Sequence, residues 1–147
     1  MITLITQNKK QYLDLLLLAD EQESMIDRYL ERGELYALYD NSELVSVCVI
    51  TQEGEGIYEI KNIATYPQYQ RKGYGRQLIH FLFEHYRHKC HTMLVGTGES
   101  PLTVPFYESC GFTYSHRIPN FFTDHYDHPI IEAGKLLTDM VYFKKEL

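Results

Sequence analysis

The chain has 147 residues, 44% hydrophobic and 23% charged, with 13 tyrosines and 7 phenylalanines, a length and composition that predict one folded domain over residues 1–147 and argue against disorder. Twenty acidic side chains against 14 basic ones give a net charge of −6, which excludes a uniformly positive field and makes nucleic acid a poor partner, whereas a cationic substrate would be steered inward. Cys48, Cys90 and Cys110 are odd in number and form no CxxC pair, so neither a disulfide framework nor a structural zinc site is expected, and each reads as a small buried hydrophobe in a reducing cytoplasm.

The N-terminal stretch MITLITQNKKQYLDLLLLADEQ has no basic n-region or small-residue cleavage site, and its apolar run Leu15 to Ala19 is too short to span a bilayer. The expectation is a soluble, intracellular protein without membrane contact. Ile2 to Thr6 reads as a first strand. Leu13, Leu16 and Leu17, then Met25, Ile26, Tyr29 and Leu30, recur at helical spacing with a break near Asp20, and Gly33 reads as the C-cap of the second helix.

Glu34 to Tyr39 and Leu44 to Thr51 are β-rich runs around Asp40-Asn41-Ser42-Glu43, a hairpin connector. A second connector, Gln52 to Gly56, leads to a strand from Ile57 to about Tyr66, which completes an antiparallel meander of three strands. Leu78, Ile79, Leu82, Phe83 and Tyr86 then mark one face of an amphipathic helix, and Thr92 to Thr97 reads as a buried strand. Strand, glycine turn, helix and strand make a βαβ unit, so these two strands should be parallel. Thr103 to Cys110 predicts a short helix stopped by Gly111. Strands are expected over Phe112 to Ile118 and Leu137 to Phe143, separated by the aromatic and histidine-rich connector PNFFTDHYDHPIIEAGK.

The most informative stretch is QRKGYGR, at the junction of strand and helix. A helix N-terminus offers unpaired N–H groups and partial positive charge, and glycine lets a ligand approach them. Gly73 and Gly75 provide that access, while Arg71, Lys72 and Arg76 add cations that would oppose the helix dipole unless an anion sits there. A phosphate or pyrophosphate is the simplest target. The P-loop pattern GxxxxGKS/T is absent, and the dinucleotide fingerprint GxGxxG fails at Leu78, which weakens a nucleotide-binding α/β domain.

NIATYPQYQRKGYGRQLI resembles motif A of the GNAT superfamily of acyl-CoA-dependent N-acetyltransferases, whose pattern Q/R-x-x-G-x-G/A is met by Gln70, Gly73 and Gly75, with Pro67 upstream. PFYESCGF resembles the later motif of that family, a tyrosine followed by Gly-Phe. The resemblance implies an α/β (α+β) fold: a mixed, mostly antiparallel sheet flanked by helices, whose central parallel strands splay apart. It implies acetyl-CoA as cosubstrate, its pyrophosphate on the backbone of Arg71, Lys72, Gly73, Tyr74, Gly75 and Arg76 and its pantetheine arm along Ile63, Ala64 and Thr65. A homodimer is common among similar proteins, although no heptad here argues for or against one.

Acetyl transfer needs a neutral amine, and a free alkylamine titrates near ~10.4. Glu59, beside the implied slot, is the candidate base, acting directly or through water, with an exposed strand glutamate as the competing reading. Tyr107 matches the family tyrosine that protonates the leaving thiolate, and backbone N–H groups of the strand would polarise the thioester carbonyl. The family's asparagine before the tyrosine helix is missing; Glu99 and Ser100 stand there instead. In this fold Phe121, Phe122, His125 and Tyr126 would line the acceptor pocket, with Asp124 and Asp127 drawing in a cation. His125 and His128 have an HxxH spacing that, without further ligands, points to no metal. The leading reading is therefore an N-acetyltransferase acting on a primary amine of a small molecule, peptide or protein. The alternative is a non-catalytic acyl-CoA-binding sensor, which would need neither Tyr107 nor Glu59 as a proton carrier.

Overall fold

The computed structural model describes residues 1–147. Strands β1 (Ile2–Ile5), β2 (Glu34–Asp40), β3 (Glu43–Gly54) and β4 (Ile57–Thr65) form an antiparallel run, and β4 continues in parallel to β5 (Thr92–Gly98). Helices α1 (Leu13–Ala19), α2 (Glu23–Ile26), α3 (Tyr74–Tyr86), α4 (Val104–Ser109) and α5 (Phe121–His125) punctuate the chain. With β6 (Thr113–Ile118) and the last strand, β9 (Met140–Glu146), the sheet runs β1-β2-β3-β4-β5-β9-β6, and a separate hairpin pairs β7 (Ile131–Glu132) with β8 (Lys135–Leu136). This is the mixed, mostly antiparallel sheet with flanking helices expected above.

Both faces of the sheet are covered, which is why its central strands read as nearly continuous apolar runs. Leu35 and Ala37 of β2 pack with Leu15, Leu16, Ile26 and Leu30 on the α1–α2 side; Tyr36 and Leu38 pack with Leu78, Ile79 and Leu82 of α3 on the other. The β2–β3 turn holds Asn41 at φ 52° and Ser42 at φ 66°, the doubly positive geometry whose twist suits a two-residue hairpin. The next connector is tighter than its composition suggests, because β3 runs on to Gly54 and only Glu55 and Gly56 turn.

Two sequence expectations change. Gly33 is not a left-handed helix cap: α2 ends at Ile26, and the turns beyond it are closed by a lysine, Lys9, whose buried Nζ donates to the carbonyls of Leu30, Glu31 and Gly33 at 3.1, 3.2 and 2.7 Å. Glycine is required at position 33 by close approach, since a Cβ there would lie 2.7 Å from Val49 Cγ1. The last strand spans Met140–Glu146, three residues later than its apolar pattern indicates, because Leu137 packs with Phe122 and Ile130 in a small cluster beneath α5.

Candidate active site

The site begins at a fault in the sheet. In the β3–β4 ladder Asn62 pairs with Val49 and Ile60 with Ile50, leaving Lys61 as an extra residue, a β-bulge that bends its strand. The parallel β4–β5 ladder runs from Ile57–Thr92 to Ile60–Val95 and stops at that point. Beyond it, residues 61–65 of β4 have no neighbour on the β5 side, and a slot of about 270 Å3 opens between them and Gly96, Thr97 and Gly98, with Gln70, Thr103 and Tyr107 in its wall. Ile63, Ala64 and Thr65 line this slot.

The glycine turn lies beyond the end of β4. Gly73 stands at φ 88° as the residue before α3, and nothing comes within 4 Å of where a Cβ would be. Arg71 is also left-handed, at φ 64°. Gln70 N–H donates to Pro67 O at 3.3 Å and Gln77 N–H to Gly73 O at 2.9 Å, but the six amides between them, from Arg71 to Arg76, donate to nothing within the chain. Exposed donors converging at a helix N-terminus form an anion cradle. The two glycines divide the work: Gly73 opens the turn, whereas a Cβ on Gly75 would lie 3.2 Å from Phe106 Cζ, so Gly75 serves the packing of α3 on α4. Arg76 likewise turns to α4, donating to Ser109 O and Oγ at 3.1 and 2.7 Å.

A second cavity of about 220 Å3 adjoins the slot, and the two share Asp20, Ile60, Lys61, Gly96, Tyr126 and Met140. Glu59 lines this cavity and is buried; its Oε2 accepts from Tyr142 Oη at 3.2 Å and is paired with Lys61 Nζ at 3.2 Å. Burial raises its carboxyl above the usual range, opposed by the charge of Lys61. Gly96 is what admits Tyr142, because a Cβ there would stand 2.9 Å from Tyr142 Cζ. Tyr107, on α4, is buried in the slot wall with no hydrogen-bond partner for its hydroxyl, and burial raises its phenol, with smaller contributions from Cys110 and Glu132.

The aromatic connector is only partly at the site. Phe121 lines the second cavity, Phe122 the slot and Tyr126 both. His125 is exposed, borders neither cavity, and packs its ring on Phe121 at 4.6 Å, because α5 turns that face outward. Asp124 is exposed, and Asp127 is engaged by His128 Nδ1 at 2.6 Å, so neither faces the cavity. Ser100, near the place of the missing asparagine, accepts at its Oγ from Leu102 N–H at 3.1 Å and borders neither cavity.

This arrangement matches known proteins. A family model for the acetyltransferase (GNAT) domain matches residues 31–114. The chain belongs to the GNAT acetyltransferase family. It is 37% identical over 142 residues to the uncharacterized N-acetyltransferase YvbK of Bacillus subtilis strain 168, covering 95% of this chain and 92% of that protein. A GNAT family acetyltransferase from Elizabethkingia anophelis, solved with acetyl-CoA bound, superposes with a TM-score of 0.94 at 36% identity, covering 100% of this chain and 97% of the other. A Bacillus subtilis acetyltransferase in complex with CoA gives 0.91 at 36% identity, covering 99% and 97%.

Sequence reasoning missed Asp20, which reads only as a break between two helices. In the GNAT fold of this chain its carboxylate accepts from Tyr29 Oη at 2.9 Å and Tyr126 Oη at 2.6 Å, and burial raises its pKa against those hydrogen bonds. Asn62 was also missed. Its Nδ2 donates to Leu16 O and Tyr29 Oη, both at 3.1 Å, while its Oδ1, in the slot wall, is a buried acceptor with no partner. A bulge and a long-range polar network have no local sequence signature; a lone Asp at a helix break was the only available signal.

Proposed function

We propose that the protein is an acetyl-CoA-dependent N-acetyltransferase that acetylates a primary amine by direct attack, with Glu59 as base and Tyr107 as acid. One observation carries the assignment of parts: a slot opened by the Lys61 bulge meets a second cavity holding a buried carboxylate. The residues fit acetyl-CoA on their own terms. Six unpaired amides from Arg71 to Arg76 suit its pyrophosphate, the unpartnered edge of Ile63, Ala64 and Thr65 suits its amide-bearing arm, and Asn62 Oδ1 supplies an acceptor for an N–H donor. Bound there, the thioester supplies an activated acetyl group.

Glu59 takes the proton that the amine sheds as its nitrogen bonds to the acetyl carbon, and its raised pKa matches it better to that task than an exposed carboxylate. Tyr107 keeps its proton at neutral pH, because burial disfavours the phenolate, and gives it to the sulfur as the C–S bond breaks. Tyr142 and Lys61 both hold Glu59 Oε2 and so orient its carboxylate. The protons balance: the alkylammonium first releases one to solvent, the neutral amine then gives one to Glu59 as it attacks, and the one that Tyr107 passes to the thiol is restored from Glu59 through solvent.

We place the protein in the cytoplasm, as a single domain free of nucleic acid; its three free, buried cysteines suit a reducing compartment, and no helix is long and apolar enough to cross a membrane. Light scattering reads whether it pairs with a second copy. The central test is calorimetric melting with acetyl-CoA at about 100 times its dissociation constant, where linkage predicts about 2.7 kcal/mol of stabilisation, followed by thiol release with amines. Melting unaffected by acetyl-CoA would sink the reading. Binding without turnover of any amine would favour the sensor.

A further inference from the structure

The charges lining the acceptor cavity differ from those of the chain as a whole. The protein is acidic overall, yet this cavity is bordered by Arg28, Arg32 and Lys61 against Asp20 and Glu59. Their pairing is specific. Lys61 holds Glu59 at 3.2 Å, and Arg32 holds Glu53 at 2.9 Å. Two charges of opposite sign are left over. Asp20 has no cation within ion-pair distance, only the hydroxyls of Tyr29 and Tyr126. Arg28 has no carboxylate partner, and its guanidinium donates only to Met25 Sδ at 3.6 Å.

We infer that the acceptor is amphoteric: a small primary amine that also carries a carboxylate, its ammonium drawn to Asp20 and its acid group held by Arg28. The inference rests on the acetyltransferase reading and names the class of acceptor for that site. Orientation follows from the walls. Asp20 borders both the slot and the cavity, whereas Arg28 borders the cavity alone, so the amine faces the thioester and the acid faces away. The cavity, at about 220 Å3, has room for an amino acid. A polyamine would set its second ammonium beside Arg28 and Arg32, a like-charge contact. A guanidinium meets a carboxylate with two parallel hydrogen bonds, which gives direction as well as affinity.

The test is thiol release from acetyl-CoA with the common amino acids, each paired with its carboxamide, alongside spermidine and kanamycin, for wild type and Arg28→Gln. The expected result is turnover of at least one amino acid, with kcat/KM lower by roughly tenfold to a hundredfold for its carboxamide. Arg28→Gln should impose a similar loss on the acid through KM, with kcat held, and leave the carboxamide unchanged. A best acceptor without an acid group, an amino acid indifferent to Arg28→Gln, or no amino acid turning over would each overturn the proposal. The acetyl-CoA melting shift, measured on the same samples, separates the two levels: if it is present, such a result sinks the acceptor class alone; if it is absent, the acetyltransferase reading falls and this inference with it.

Discussion

The slot and the cavity beside it are made of different material. One edge of the slot and the turn beyond it are backbone: a strand edge freed by one bulge and six unpaired amides, supplied by the contiguous stretch from Lys61 to Arg76. The cavity is side chains drawn from distant segments, with Asp20 and Arg28 from the α1–α2 region, Glu59 from β4, Phe121 and Tyr126 from the α5 region and Tyr142 from β9. Backbone recognition suits a cosubstrate whose pyrophosphate and amides never vary. Side-chain recognition suits a partner that differs from one enzyme to the next, because each wall can be changed without disturbing the sheet.

The sharpest way to break this comparison is to change side chains on each side of the boundary. Glu59→Gln and Tyr107→Phe remove the proposed proton carriers while preserving shape, and kcat should fall by about 10²- to 10⁴-fold with acetyl-CoA binding retained. Steady-state kinetics with the best acceptor checks this, and a loss confined to KM would deny both residues their roles. On the backbone side, Gly73→Ala disturbs a residue at φ 88°, a left-handed geometry that costs a residue with a Cβ about 1–2 kcal/mol. The turn should relax and its amides diverge, raising the acetyl-CoA KM roughly tenfold or more with kcat little changed. Lys72→Ala, which leaves the amides in place, should cost only a few-fold and depend on salt.

Between these regions Gly98 sets how the connector closes over the site. A Cβ at Gly98 would fall 2.4 Å from Leu137 Cδ1, in the cluster with Phe122 and Ile130. Gly98→Ala should therefore lower stability by about 1–3 kcal/mol, read as an earlier melting transition. Unchanged melting would show that the connector moves freely on the sheet.

The same division explains what could be read from the sequence. The hairpin at Asn41-Ser42, the α3 face from Leu78 to Tyr86 and the turn at Gly73 are local patterns, since their physics lies within a few residues of chain. Tyr107, which lines the slot, stands out by its distance from Gly111-Phe112, again a local signature. The Lys61 bulge was not legible, because IYEIKNIAT alternates no differently from an unbroken strand. Nor was Asp20, whose partners Tyr29 and Tyr126 lie 9 and 106 residues away. His125 was misplaced for a related reason: membership of an aromatic connector says nothing about which way a five-residue helix faces.

The smallest expected effect bears on Asp20 itself. Its folded pKa is raised, with burial the largest cause, so the fold favours the neutral acid. By linkage, that preference stabilises the protein fully below the ordinary aspartate value of 3.8 and is lost as pH rises through the raised folded value. Above that raised value the wild type carries the cost of a half-buried, ionised carboxylate that no cation pairs. Asp20→Asn should melt slightly higher than wild type at pH 7, and the difference should shrink as both are acidified toward that ordinary value. A carboxylate kept at some cost to stability fits a group held for binding rather than for folding. If Asp20→Asn instead melted lower at pH 7, the hydrogen bonds from Tyr29 and Tyr126 would outweigh burial, and Asp20 would be a structural anchor of the α1–α2 region.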